Sequence, residues 1–146
     1  MSMLRRAFIF LLMLIAAPAL AADFRSATGP ATILYDAPST EAKPLFVINR
    51  GYPLEVLVNL AGWAKIRDSG GIVAWVQQSQ LDAERTVVVR STSDVLAQPQ
   101  DRAAVSAHVA AGVILIWLQT LPGNWVKVRL PDQNTGYIKL DKVWGA

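Results

Sequence analysis

The sequence predicts an all-β protein with two small tandem barrels behind a cleaved leader. Three observations support this fold class: a motif that recurs at a constant offset, short apolar runs separated by turn-forming residues, and an N-terminal segment with the features of an export signal. They divide the 146-residue chain into residues 1–21, 22–83 and 84–146. We expect these segments to be the leader, the first barrel and the second barrel.

The leader is predicted from its charge and hydropathy pattern. Arg5 and Arg6 precede an apolar run at residues 7–17, and the small-residue pattern Ala-Leu-Ala follows at 19–21. Signal peptidase accepts such a pattern, so we expect cleavage after Ala21 and a periplasmic or secreted protein. The apolar run is shorter than the ~20 residues that a membrane-spanning helix needs. A stable membrane anchor is therefore not expected.

The repeat is the strongest signal in the chain. Residues 62–67 (GWAKIR) match residues 124–129 (NWVKVR) at an offset of 62. A second aromatic residue, Trp75 or Tyr137, stands 12 residues after the tryptophan of each copy. The glycine-led apolar segments before each copy match at an offset of 61, so one residue is inserted near 121–123. Self-similarity over more than fifty residues indicates duplicated units.

Each unit is predicted to contain five strands. Its apolar runs are short, turn formers such as residues 68–71 (DSGG) separate them, and no stretch after the leader has a helical period. Units of this size hide their sheet edges by closing into small barrels. The predicted strands lie near 31–35, 45–49, 53–60, 63–67 and 72–76, and then near 93–97, 105–109, 113–120, 125–130 and 135–139.

The junction between the units is predicted to be rigid. Residues 82–85 lead directly into residues 86–89 (TVVV), with no glycine, proline or serine run that would form a flexible linker. A domain of about 60 residues without disulfides is marginally stable alone. We therefore expect Val87 to Val89 to pack where the barrels meet and to fix their orientation.

The ordered pattern of turns and strands resembles the bacterial SH3 domain family, and more closely its exported tandem members. The resemblance rests on the two W-x-K-[IV]-R copies, on Trp75-Val76 with Leu81, and on the terminal Trp144-Gly145. It covers residues 31–145 and implies SH3-like barrels that bind peptides or cell-wall material, often as targeting accessories. The chain departs from the family at residues 32–35 and 94–97, where an N-V-R-type strand is usual.

Composition excludes several function classes. Two of the 14 basic residues belong to the leader, which leaves 12 against 11 acidic residues and no basic cluster for nucleic acid. The absence of cysteine excludes disulfides and thiolate metal sites. The single histidine, His108, lies in an alternating strand pattern, and a hydrolase would need a cleft with Ser or Thr beside it. We expect a protein that is not an enzyme and has no catalytic residues, metal or cofactor.

The aromatic residues are the candidates for binding. Alternate side chains of a strand share a face, so Ala64 and Ile66 should face the core while Trp63, Lys65 and Arg67 face outward. A tryptophan flanked by cations suits an extended or proline-rich peptide, or an acidic glycan-linked one. The candidate ligand-binding residues are Tyr35, Tyr52, Trp63, Lys65, Arg67 and Trp75, with weaker second-repeat equivalents Trp125, Lys127, Arg129 and Tyr137.

Packing is the alternative role for the same rings. In this interpretation the Trp rings lie over the barrel mouth or between the units, with Lys and Arg stems covering them. Trp117 and Trp144 are expected to be packing residues of the second unit. Two functions therefore stay open. One is a binding or targeting module for a peptide, protein or peptidoglycan component, and the other is an assembly subunit whose barrels pack on each other and on a partner.

Overall fold

The computed structural model describes residues 21–146 as two seven-stranded antiparallel sheets. Residues 1–20, and with them most of the predicted leader, lie outside the described part. The strands of the first sheet are β1 (Asp23–Ala27), β2 (Thr32–Tyr35), β3 (Pro44–Ile48), β4 (Pro53–Leu60), β5 (Trp63–Arg67), β6 (Val73–Gln77) and β7 (Leu81–Asp82). Those of the second are β8 (Thr86–Val89), β9 (Ser93–Leu96), β10 (Val105–Val109), β11 (Ile114–Leu121), β12 (Trp125–Arg129), β13 (Thr135–Lys139) and β14 (Val143–Trp144).

The two sheets repeat one topology. Their strand orders are β3-β2-β6-β5-β4-β1-β7 and β10-β9-β13-β12-β11-β8-β14, which match position by position. A 3-10 helix precedes the last strand of each, at Gln78–Gln80 and Leu140–Lys142. No helix among residues 21–146 is long and apolar enough to cross a membrane. The predicted all-β class of two tandem units is confirmed.

The hairpins explain the change of offset between the repeats. Ala61 and Gly62 connect β4 to β5 in the left-handed region, at φ 47° and 87°. The connection from β11 to β12 has one more residue, and there Gly123 and Asn124 adopt φ 82° and 63°. Glycine and asparagine tolerate this conformation best. The predicted insertion near residue 121–123 therefore lies in a hairpin tip, where it leaves the strand register intact.

Each sheet encloses its own apolar core. The first core contains Leu34, Leu54, Ala64, Ile66, Ala74 and Val76, all buried. The second contains Val87, Val89, Val95, Val109, Leu115, Val126, Val128, Leu130, Ile138 and Val143. The prediction that Val87 to Val89 pack between the barrels is therefore wrong for Val87 and Val89. Because strand residues alternate, these two valines face the second core while Thr86 and Val88 face the other way.

The sequence prediction missed four strands. β1 and β8 pair with β4 and β11, and each also pairs with the short strand that ends its unit, β7 or β14. The sequence of β1, DFRSA, lacks the apolar pattern by which the other strands were predicted, because it contains two charged residues and a serine. Its position is determined by pairing with β4, which the local sequence does not reveal.

The junction between the barrels is centred on Arg85. Its guanidinium lies 3.9 Å from the Trp117 ring centroid and 5.5 Å from that of Phe24, and its Nη2 donates a hydrogen bond to the Gly145 carbonyl at 3.2 Å. Phe24 also contacts the Trp144 ring edge-to-face at 5.2 Å. Burial lowers the pKa of Arg85, and the nearby Asp23 carboxylate partly opposes that shift. One side chain thus contacts strands of both sheets.

Hydrogen bonds close the same junction. Thr86 Oγ1 donates to the Gly51 carbonyl at 2.6 Å, and Ser26 Oγ donates to the Glu84 carbonyl at 2.8 Å. Both hydroxyl groups belong to buried residues, and a satisfied buried hydroxyl avoids the cost of a lost hydrogen bond. These contacts, with the aromatic packing around Arg85, hold the barrels against each other without a flexible linker.

Candidate ligand-binding face of the first barrel

Four of the predicted site residues come together on the outer face of the first sheet. On β5, Trp63 and Lys65 alternate with core residues and point outward. Trp75 on β6 pairs with Lys65 on one side and with Tyr35 on the other. The Tyr35 and Trp63 rings meet edge-to-face at 5.6 Å, and Lys65 Nζ lies 6.0 Å from the Trp75 ring centroid. We call Tyr35, Trp63, Lys65 and Trp75 the aromatic cluster.

Two predicted residues lie outside this cluster. Tyr52 packs against the first core, and its hydroxyl is hydrogen-bonded to Ser69 in the β5–β6 turn. Arg67 is exposed at the end of β5, where its Nε and Nη2 donate to Glu55 Oε2 at 2.9 and 2.6 Å. An exposed arginine with a carboxylate partner gains little stability from that pair. Lys65 has no such partner among residues 21–146, and its charge lies within the aromatic cluster.

Exposed aliphatic side chains surround the cluster. Ile33 and Val47 are cross-strand partners on β2 and β3, and their exposed fractions are 40% and 65%. By strand register, Val58 lies opposite Lys65, Leu60 opposite Trp63, and Val73 opposite Arg67. We call the five exposed aliphatic residues at these positions the apolar flank: Ile33, Val47, Val58, Leu60 and Val73.

Sequence reasoning missed the apolar flank, although a signal for it was present. Ile33 stands two residues before Tyr35, so strand alternation puts both side chains on the outer face. The exposure of Val47 depends on pairing between β2 and β3 and on the position of β3 at the edge of the sheet. That position follows from topology, so the local sequence of β3 cannot indicate it.

The second barrel has a different outer face at register-matched positions. Asp94 and His108 form the cross-strand pair that matches Ile33 and Val47. Gln119, Leu121 and Thr135 occupy the positions of Val58, Leu60 and Val73. Four of the five aliphatic positions of the apolar flank are thus polar or charged in the second repeat.

The tryptophan of the second repeat is covered by its own barrel. Trp125 is only 6% exposed, and Lys139 Nζ lies 4.2 Å from its ring centroid. Lys127 pairs across the strands with Tyr137, and Arg129 with Thr135. Trp125 thus has the arrangement expected for a packing residue, with a lysine side chain covering the tryptophan ring. Trp63 keeps an intermediate exposure and contacts Tyr35 instead.

The remaining candidate for chemistry is His108. It lies on β10, its side chain is 78% exposed, and its Nδ1 is 2.5 Å from Asp94 Oδ1. Ser93 is on the neighbouring strand, but its hydroxyl donates to the Ser91 carbonyl. Within residues 21–146, no three His, Asp or Glu side chains come together as a possible metal site.

The strand pattern, the duplicated sheets and the W-x-K-[IV]-R copies agree with a comparison against protein-family models. The model described as bacterial SH3 domain matches twice, at residues 29–83 and 89–145. The chain belongs to the bacterial SH3 domain family. Domains of this family are binding modules. β1 lies before the first matched range, and most of its counterpart β8 lies before the second.

Comparison with solved structures gives remote similarities to this tandem bacterial SH3 chain. NlpC2 from Trichomonas vaginalis is 14% identical over 86% of this chain and 49% of its own length, with a TM-score of 0.40. An NlpC/P60 family protein from Bacillus cereus is 14% identical over 83% of this chain and 55% of its own length, with a TM-score of 0.39. The chain spans about half the length of each. No curated protein sequence matched it.

Proposed function

We propose that this protein is an exported, non-enzymatic binding or targeting module, and that its first barrel holds a peptide or cell-wall component of the envelope on its outer face. The observation that carries the proposal is the difference between the repeats. The first barrel exposes the apolar flank around a half-buried aromatic cluster, whereas the second has polar residues at most matched positions and covers its tryptophan.

The exposed surface has the physical character of a binding site. Contiguous exposed apolar patches on a monomer commonly mark interaction sites, and covering one releases about 25 cal/mol per Å² of apolar area. Aromatic rings suit extended or proline-rich chains, since they offer large rigid surfaces and a polar edge. Lys65 adds a cation beside Trp75, and this favours a ligand with carboxylate or carbonyl groups.

The edge strand supports an extended ligand. β3 ends the order of the first sheet, so one side of its backbone has no strand partner in that sheet. An extended chain that lies along Val47 and Ile33 could add to this edge, and main-chain hydrogen bonds would then contribute to affinity. Pro44 begins β3 and lacks an N–H group, so we expect pairing to begin beyond it.

The junction favours binding over the assembly function. The assembly hypothesis expects both W-x-K-[IV]-R tryptophans to be buried between the barrels. The aromatic residues at the junction are instead Phe24, Trp117 and Trp144. Trp117 contacts Arg85 and Trp144 contacts Phe24, in addition to the contacts that each makes within its own unit. Trp63 stays with Tyr35 on the outer face.

The binding proposal predicts a selective loss on transplanting second-repeat residues into the first. Ile33→Asp with Val47→His should weaken binding of a proline-rich peptide pool or soluble peptidoglycan fragments by at least about tenfold, because it removes apolar contact area and places a charge there. Tryptophan fluorescence of the purified protein gives the affinity. The matched control, Val105→Ser, removes an exposed valine from the second barrel and should leave affinity within about twofold.

The same titration tests whether Trp63 is a ligand contact or a packing residue. A Trp63→Ala protein that stays folded and no longer gives a saturable signal supports the binding face. If no peptide or fragment binds the unaltered protein, and Trp63→Ala mainly lowers the melting temperature, the proposed function is wrong and Trp63 packs the barrel.

Export has its own test. The leader pattern predicts that the protein recovered from the bacterial envelope begins at Ala22, since cleavage is expected after Ala21. Intact-mass measurement of the periplasmic and secreted fractions checks this expectation. Recovery of the uncleaved chain with the membranes alone would contradict it.

A further inference from the structure

The second barrel contains a pocket that is separate from the aromatic cluster of the first barrel. It has a volume of about 370 Å³ and lies between β9, the β9–β10 connection, the end of β13 and the second 3-10 helix. Trp125 and Leu96 supply its apolar lining. The charged lining residues come in two groups of opposite sign, Asp94 and Asp101 together with Lys139 and Lys142.

The first barrel has the equivalent groove, but a smaller and neutral one. That groove has a volume of about 190 Å³ and is lined by Ala31, Ile33, Tyr35, Gln77 and Gln80. In the second repeat the matched positions hold Thr92, Asp94, Leu96, Lys139 and Lys142. Both units thus have a groove at this position. Three neutral lining residues of the first barrel are replaced in the second by one carboxylate and two ammonium groups.

The difference in volume has a local cause. Tyr35 in the first barrel packs its ring against Trp63. Its counterpart is Leu96, a smaller side chain that has the same cross-strand relation to Tyr137 as Tyr35 has to Trp75. The smaller residue leaves the rim of the Trp125 ring accessible to the pocket, although most of that ring is buried.

The charges of the pocket are balanced but divided between elements. The carboxylates come from β9 and the β9–β10 connection, whereas the lysines come from the end of β13 and from the 3-10 helix. Lys139 Nζ is 2.7 Å from Asp101 Oδ1, and Asp94 Oδ1 is hydrogen-bonded to His108 Nδ1. Lys142 forms no ion pair among residues 21–146. A ligand with one sign of charge would be attracted to one group and repelled by the other.

We propose that this pocket binds an amino-acid zwitterion, that is, a group with an ammonium and a carboxylate close together. The carboxylate would face Lys139 and Lys142, the ammonium would face Asp94 and Asp101, and the aliphatic part would lie against Leu96 and Trp125. Charge-assisted hydrogen bonds at both ends give such a site its specificity. The volume is within the usual range for small-molecule pockets. This site is independent of the face proposed for the first barrel.

The experiment measures binding of meso-diaminopimelic acid to the purified protein by calorimetry, both as the free amino acid and as the end of a short peptide. Lys139→Gln with Lys142→Gln gives the pocket the residues of the first-barrel groove and should weaken binding at least about tenfold. The control, Lys127→Gln, removes a lysine of the same barrel outside the pocket lining and should change affinity less than about twofold.

Derivatives of the probe test the zwitterion itself. The N-acetylated form lacks the ammonium groups and the amide form lacks the carboxylates, and each should bind at least about tenfold more weakly than the parent. Tighter binding of the peptide form would identify a peptide end as the source, and tighter binding of the free acid would identify an amino acid. Equal binding of the N-acetylated form, unchanged binding by the double variant, or no binding at millimolar concentration would each overturn the proposal.

Discussion

Replacing Gly136 by alanine should lower the free energy of unfolding by about 1–3 kcal/mol, the usual cost of overpacking a core. Gly136 is buried on β13, and a Cβ there would overlap Val95 Cγ1 and lie 3.1 Å from the Leu96 carbonyl oxygen. Val95 has no exposed surface and, as a β-branched side chain, has few alternative rotamers. Thermal or urea unfolding of the variant measures the loss.

The cause of that loss can be isolated with a second variant. In a Val95→Ala background the Gly136→Ala change should cost much less, because the methyl group that it meets is gone. The first barrel supplies the matched position, where Ala74 takes the place of Gly136. Ala74→Gly should lower stability by only about 0.5–1 kcal/mol, through backbone entropy. An equal cost of Gly136→Ala with and without Val95 would rule out this steric account.

Replacing Arg85 by alanine should uncouple the barrels. The variant loses the guanidinium that contacts the Phe24 and Trp117 rings and the hydrogen bond to the Gly145 carbonyl. Cation–π contacts and a charged hydrogen bond together suggest a loss of about 2–4 kcal/mol. Arg85 Nε is buried without a hydrogen-bond partner in the described part of the chain. This unsatisfied donor offsets part of the stability that the other contacts of Arg85 contribute. We expect the parent to unfold in a single calorimetric transition, and that transition should become broad or divide into two in the Arg85→Ala variant.

Arg102→Ala provides the control for the Arg85 variant. Arg102 is exposed in the β9–β10 connection, and removing it should shift stability by less than about 0.5 kcal/mol. Arg85→Lys keeps a positive charge but loses the planar group that stacks on rings, so its stability should lie between those of the parent and Arg85→Ala. A single sharp transition at an unchanged temperature in Arg85→Ala would show that the barrels are coupled by other contacts.

Most of the strands could be predicted because each unit carries local signals. Alternation on β5 and β12 places Ala64, Ile66, Val126 and Val128 in the cores, and all four are fully buried. The turn between β5 and β6 is also local, since Asp68 Oδ1 accepts hydrogen bonds from the backbone N–H groups of Gly70 and Ile72. Such signals act within a few residues, so they are visible in a single sequence.

The candidate site was only partly predictable. Trp63 and Lys65 share a face because they are two residues apart on one strand, and this was read from sequence. Tyr52 has the same residue type as Tyr35, yet it packs against the core near the β5–β6 turn. Nothing in the sequence around either tyrosine shows which one pairs beside Trp75, because that contact joins residues forty positions apart.

Local sequence patterns were enough to predict the duplication and the strand positions around each W-x-K-[IV]-R copy, and the composition disfavours nucleic-acid and thiolate chemistry. Tertiary structure decided that β1 and β8 join the sheets, that Val87 and Val89 fill the second core, and that Arg85 lies between the barrels. It also decided which repeat exposes an apolar face and which holds a charged pocket. The two kinds of feature depend on interactions over different sequence separations. Turn chemistry and strand alternation involve neighbouring residues, whereas strand order and the partner of each outward side chain depend on contacts between distant segments.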